Sequence, residues 1–309
     1  KGLAITLLLI LTLIHATNHR TSGGTQEVFT ALKITVIIIF IIGVKIFTDT
    51  PQPLTFLPAE GDGALLTSGT FAVALIYVSF AYTGWNAATY LSSEVENPRR
   101  NLPLVLITGT SIVTILYLGL NFSFLYAAPM DAMEGQVEVG AIAAQAAFGE
   151  AVGGTFGIVL ALLLISTVSA MTMAGPRVIQ VIGEDFPAVR FLSRTNKNGI
   201  PTTAIYIQAA IAMVFILSTT VESIMVFAGF TMALNSFATV FGIFVLRRQQ
   251  PDLERPYRTF LYPLPPLIYL ILTAWTLGFT LINRPVEGLF SIAIILMGLV
   301  IYFITARQR

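Results

Sequence analysis

Residues 79–103 read SFAYTGWNAATYLSSEVENPRRNLP, an abrupt change of texture inside a very apolar chain. Just upstream, the run FAVALIYVSF (71–80) is almost wholly apolar. An apolar run without strict alternation suits a membrane helix better than a barrel strand. After Phe80 come Ala81, Tyr82, Thr83, Gly84, Trp85 and Asn86, a small and polar cluster where a spanning helix would still lie in hydrocarbon. Glycine is a poor helix former and adopts conformations closed to other residues. A break at Thr83-Gly84 would bare main-chain N–H and C=O groups beside a cavity, the arrangement by which half-helices hold charged ligand ends. Read alone, Gly84 fits close packing of a neighbouring helix equally well. The run then turns charged at Glu94, Glu96, Arg99 and Arg100. There the two glutamates are expected to cap or pair with the two arginines. Asn101-Leu102-Pro103 is expected to open the next helix, because proline lacks an N–H where none is needed.

The rest of the chain has the same character. Of 309 residues, 55% are hydrophobic and 11% charged, against about 25% charged in a soluble domain. Mean hydropathy is +0.82. About nine apolar stretches can be drawn, at 1–15, 28–47, 67–93, 102–126, 150–175, 203–219, 224–246, 262–282 and 287–306. Most approach the roughly 20 residues that cross about 30 Å of hydrocarbon. The expectation is an all-α integral membrane protein of about nine transmembrane helices. The first stretch is short, and His15, Asn18, His19 and Arg20 follow it rather than a small-residue cleavage site. It reads as the end of a span whose beginning is missing, so the bundle is expected to be N-terminally incomplete.

Loop charges suggest an orientation. Arg20, Arg99, Arg100, Arg177, Arg190, Arg194, Lys197, Arg247, Arg248, Arg255, Arg258, Arg307 and Arg309 fall on one side of the alternating spans. Asp49, Glu60, Asp62, Asp131, Glu134, Glu138, Glu150 and Glu222, with the pair Arg284 and Glu287, fall on the other. The positive-inside rule makes the basic side cytoplasmic and puts the C-terminus there. Pro-rich 51–58 and 263–266 read as connections, 141–149 as a short outer helix, and 178–195 as an inner amphipathic segment interrupted at Asp185 and Pro187. Gly199-Ile200-Pro201 reads as the entry to the sixth stretch.

Several function classes are disfavoured. A net charge of +1 gives no electrostatic case for nucleic acid. The chain has no cysteine, hence no disulfide and no thiolate nucleophile or metal ligand. No phosphate-binding G-x-x-x-x-G-K, no G-x-S-x-G and no H-E-x-x-H occurs, so no enzyme, metal site or cofactor is expected. His15 and His19 are one turn apart, but they are read as lying in a cytoplasmic loop without a carboxylate nearby. Asn235 is expected to bond across helices.

Lys33 lies well inside the second stretch, between Leu32 and Ile34. An intramembrane lysine is costly and marks a functional position by default. Snorkelling to the headgroups is the plainer alternative, and Lys45 fits that reading better. Ser166, Ser169 and Thr172 share one face of the fifth stretch at i, i+3 and i+6. Hydroxyls in such helices often bond back to their own carbonyls.

The run FAYTGWNAATYLSSEVENPRRNLP resembles the sixth helix and following loop of the amino acid–polyamine–organocation permease superfamily. Its Phe-Ala-Tyr-x-Gly-Trp-Asn form is similar to the L-type amino acid transporter branch. Residues 26–43 resemble that family's fifth helix, 166–177 the inner part of its eighth, and 246–258 the loop after its tenth. The resemblance covers essentially the whole chain, read as helices four to twelve. It implies a leucine-transporter-like inverted-repeat bundle. Residues 1–47 would end the first repeat, 64–247 would form the second with a broken helix near 83–84, and 262–306 would be two additional helices. The family's first three helices are absent from the chain as given, including the one that holds the substrate carboxylate.

By the same resemblance, Phe80 is an aromatic gate over the substrate. Main-chain groups at Ala81, Tyr82 and Thr83 receive its ammonium, Gly84 marks the break, Asn86 is a polar position past it, and Trp85 packs or lines the pocket. Lys33 stands where sodium-dependent relatives hold a sodium ion, with Ser166 and Ser169 as its counterparts, so proton-linked gating is an expectation. The implied function is secondary amino acid transport by alternating access in the cell membrane, as sodium-independent exchange or proton-coupled uptake of neutral amino acids. The alternatives are a non-transporting degenerate permease or membrane scaffold, and a carrier of polyamines or other amines.

Overall fold

The computed structural model describes residues 1–17, 23–85, 95–255 and 257–306. Helix is the regular structure throughout these residues. In chain order the helices are α1 (Gly2–Thr17), α2 (Gly23–Phe47), the short α3 (Asp62–Leu66), α4 (Gly69–Ala81), α5 (Pro98–Ala127) and the short α6 (Met130–Met133). They continue with α7 (Val139–Asp185), a 3-10 turn (Pro187–Ser193), α8 (Thr202–Ser218), α9 (Val221–Gln249), α10 (Leu264–Asn283) and α11 (Pro285–Ala306). Six of the described helices, α2, α5, α7, α9, α10 and α11, are long and apolar enough to cross a membrane; α1, α4 and α8 are shorter apolar helices.

Several boundaries depart from the sequence reading. α5 begins at Pro98, not near residue 102, so Pro103 lies inside the helix. Pro98 takes the first-turn position that asks for no N–H, and Asn97 O receives the N–H groups of Arg100 and Asn101. Pro265 and Pro266 are not in a connection but in the first turn of α10, where missing N–H groups cost nothing. The fifth apolar stretch and the start of the inner segment form one helix running through Pro176 to Asp185. Only then does the chain turn into the 3-10 segment. The outer helix and the span are separated at Gly149, whose φ of 81° and ψ of 169° interrupt α7.

The chain forms two compact units, residues 1–56 with 112–217, and residues 57–111 with 218–309. In the first, α2 packs on α7. Phe40 is 1% exposed and stacks on Phe156 with centroids 4.6 Å apart. It meets Phe124 and Phe148 edge-on, among the small residues Ala143, Ala144 and Ala147. Small residues let the helices approach, and the aromatic rings fill what remains.

In the second unit α9 packs on α4, α10 and α11. Ser68 Oγ accepts from the Phe71 N–H to cap α4, and Thr220 Oγ1 accepts from the Ser223 N–H to cap α9. Gly229 of α9 lies against α4 so closely that a Cβ there would sit 2.7 Å from Ile76 Cγ2. Between α9 and α11, Thr231 Oγ1 donates to the buried Ser291 Oγ at 3.0 Å. Large apolar side chains such as Ile39, Ile115, Leu164 and Phe303 remain exposed along the long helices, as a lipid-facing surface requires.

Candidate functional site

α4 stops at Ala81, and its last turn explains why. The Tyr82 N–H is shared between the carbonyls of Val78 and Ser79, at 3.3 and 3.2 Å. The Thr83 N–H and Thr83 Oγ1 both donate to Phe80 O, at 3.0 and 2.7 Å. These tighter i to i−3 bonds close the helix. Gly84 follows at φ 101°, a left-handed conformation that side chains resist. Such a helix end carries the partial negative charge of its carbonyls.

The end of α4 opens on a cavity of about 340 Å³ within the second unit. Tyr82, Thr83 and Trp85 line it from the turn, with Ser79, Val78 and Leu75 from the helix. α9 contributes Gly229, Met232, Ala233 and Ser236; α10 contributes Tyr269, Leu272, Thr273 and Thr276. Every polar group in this wall is uncharged, and most are hydroxyls.

Of the residues expected at the site, Tyr82, Thr83 and Trp85 are thus brought together. Phe80 stands outside this wall, half-buried beside α9, its Cβ 3.6 Å from where a Gly229 Cβ would lie. Ala81 and Gly84 are exposed and also outside the wall. Asn86 and Glu94 lie outside the described residues. Reading the sequence alone missed the α10 face, although Tyr269, Thr273 and Thr276 at i, i+4 and i+7 form a polar stripe on an apolar helix.

In the first unit, Lys33 Nζ donates to Thr167 Oγ1 at 2.7 Å. Its observed partner is therefore neither Ser166 nor Ser169. Ser169 Oγ lies 2.9 Å from His15 Nε2. Ser166 is 7% exposed, and its Oγ is the one buried side-chain polar atom without a partner among the described residues. Thr172 Oγ1 bonds back to Val168 O at 2.8 Å. His15 is not in a loop: it lies in the last turn of α1, 8% exposed, because Leu8, Leu11, Thr12 and His15 fall on the buried face of that helix. His19 lies outside the described residues.

Two further expectations are corrected. Arg99 pairs with Glu254, 3.0 Å away, and not with Glu96, whose carbonyl instead accepts from Asn101 Nδ2. Asn235 is exposed, and among the described residues its side chain makes no bond across helices; only its main-chain carbonyl is engaged, by Thr239 Oγ1 of the same helix. Elsewhere in the second unit, Glu222 receives both Arg284 and Tyr77 Oη, and Ser223 Oγ donates to Glu287 at 2.9 Å.

Comparison with known proteins gives this geometry its family. The chain is 27% identical over 311 residues to b(0,+)-type amino acid transporter 1 of Mus musculus, covering 98% of this chain and 62% of that protein. It is 28% identical over 324 residues to the Homo sapiens protein of the same name, covering 100% and 63%. Against large neutral amino acids transporter small subunit 2 of Mus musculus it is 28% identical over 323 residues, covering 98% and 57%. The chain therefore spans about three fifths of the length of the curated relatives it matches. The family described as amino acid permease matches residues 1–305, and the chain belongs to that family.

Proposed function

We propose that this protein is a secondary carrier of amino acids with neutral side chains, working by alternating access without sodium. The observation that carries the reading is the early stop of α4 at Ala81, beside a cavity whose wall holds hydroxyls and no ionised side chain. A helix C-terminus attracts a cation, so the substrate ammonium is assigned to main-chain groups at Ala81, Tyr82 and Thr83. Gly84 makes the interruption possible. Trp85 supplies aromatic cover from the wall, and the resemblance assigns Phe80 the role of a gate and Asn86 that of a polar substrate contact. The absence of a carboxylate from the described cavity wall removes the counter-charge that a cationic side chain or a polyamine would need. Relatives named as large neutral amino acids transporters support the same substrate class.

Lys33, Ser166 and Ser169 are assigned to coupling. By the family resemblance, the Lys33 amine that donates to Thr167 Oγ1 stands where sodium-dependent relatives hold a sodium ion. Inverted repeats, with 1–47 closing the first and 64–247 forming the second, complete the reading, with a cytoplasmic C-terminus in the cell membrane.

Uptake of labelled leucine and of labelled lysine into proteoliposomes holding the protein as its gene encodes it tests the proposal. Leucine uptake without sodium, with little lysine uptake, supports it. Stimulation by unlabelled leucine inside the vesicles identifies exchange, and stimulation by an inward proton gradient identifies proton coupling. Absence of any amino acid uptake overturns the carrier reading.

A further inference from the structure

Two ionisable side chains from different helices rest on hydroxyls of α7: Lys33 of α2 on Thr167, and His15 of α1 on Ser169. Only the first figures in the proposed function. His15 is the more enclosed of the two, and the end of its helix is well anchored. Asn196 Nδ2 donates to Ala16 O at 3.3 Å, and Ala16 packs with Ile200 and Ile205.

Chemistry makes His15–Ser169 a junction with two settings. A neutral imidazole can accept the Ser169 hydroxyl proton at Nε2. An imidazolium only donates, so the Ser169 hydroxyl must then send its own proton elsewhere along α7. One turn earlier on the same face is Ser166, whose buried Oγ has no partner. With the neutral ring protonated at Nδ1, uptake of a proton at Nε2 turns the hydroxyl of Ser169 from α1 to a direction along α7.

We propose that His15 is a positioning residue for coupling, its protonation redirecting the Ser169 hydroxyl on the face of α7 that carries Ser166. This inference rests on the carrier reading for its functional consequence. The groups facing His15 leave it as the titrating member of the junction. On α7 the bonded group is Ser169, with Ser166 and Thr172 one turn to either side of it on the helix and Arg177 about two turns further on and exposed. The segment before α8 presents Asn196 and Ile200, with Lys197 exposed. α8 has no acidic or basic side chain. Among the described residues, neither ion pair involves His15.

The test compares the wild type with His15→Gln and Ser169→Ala. Glutamine keeps a group able to bond Ser169 but takes up no proton. Leucine uptake in proteoliposomes is measured between about pH 8 and pH 5, the range over which histidine changes charge. Wild-type uptake is expected to change severalfold across that range, and both variants to respond much less. His15→Gln should retain uptake near its wild-type level at the alkaline end, which a residue needed only for packing would not predict. An unaltered pH profile in His15→Gln overturns the inference while leaving the carrier reading intact. The same comparison of thermal melting against pH, in detergent, needs no transport. Parallel wild-type and His15→Gln curves overturn the inference even if uptake is absent and the carrier reading has failed.

Discussion

Gly84 and Ser166 show how much a single residue can carry. Gly84 stands at φ 101°, and a Cβ added there would meet nothing within 4 Å, so backbone conformation and not space requires the glycine. Gly84→Ala is expected to cost about 1–2 kcal/mol and to lower leucine uptake; a melting temperature and a transport rate read the two separately. An unchanged melting temperature would mean that the turn does not need a left-handed residue. Ser166 offers the opposite contrast. An unpaired buried hydroxyl is a liability, so Ser166→Ala is expected to leave stability unchanged or raise it by about 1 kcal/mol while impairing transport. Loss of stability there would show the hydroxyl to be bonded. Gly84 was only half legible in the sequence, because a glycine inside a span serves close packing as readily as a turn. His15 was not legible, since the face a helix buries is set by neighbours far away in the chain: its partner Ser169 is 154 residues distant.

Among the elements, the α4–α9 contact offers a direct test of packing. A side chain at Gly229 would collide with Ile76 Cγ2 at 2.7 Å and come within 3.2 Å of Ile76 O. Gly229→Leu should therefore push the helices apart at a cost of about 1–3 kcal/mol. A fall in melting temperature, with loss of uptake as Tyr82 and Thr83 lose the opposite wall, is the expected result. The exposed Arg284–Glu222 pair should matter less: Arg284→Ala is expected to cost no more than about 1 kcal/mol. Most helices were legible because apolar runs of span length admit little else. Their ends were less so, because proline permits a start without dictating one, as Pro98 against Pro103 and Pro265 in α10 show. The cavity's α10 wall was illegible for a related reason. A threonine in an apolar helix can bond its own carbonyl, as Thr276 does to Leu272 at 2.8 Å, so its presence does not reveal a cavity.

At the scale of the whole molecule, the absence of cysteine makes topology directly measurable. Single cysteines introduced at Lys197 and Arg248 should react with a membrane-impermeant thiol reagent only from the cytoplasmic side, and those at Glu60 and Glu138 only from the opposite side. Labelling of all four from one side would overturn the orientation. The membrane class was readable from composition, because 11% charge is far below the share a soluble domain carries, and the all-α class from long apolar runs without alternation. The division into two compact units was not readable, since each gathers segments distant in sequence. Past Gly149, α7 continues from residue 150 to 185, a run of about 54 Å at 1.5 Å per residue, nearly twice the thickness of hydrocarbon. The surplus leaves the exposed tip of that helix open to a reporter group. A spin label near its tip would magnify a slight tilt at Ser166 into a distance change large enough to follow turnover in real time.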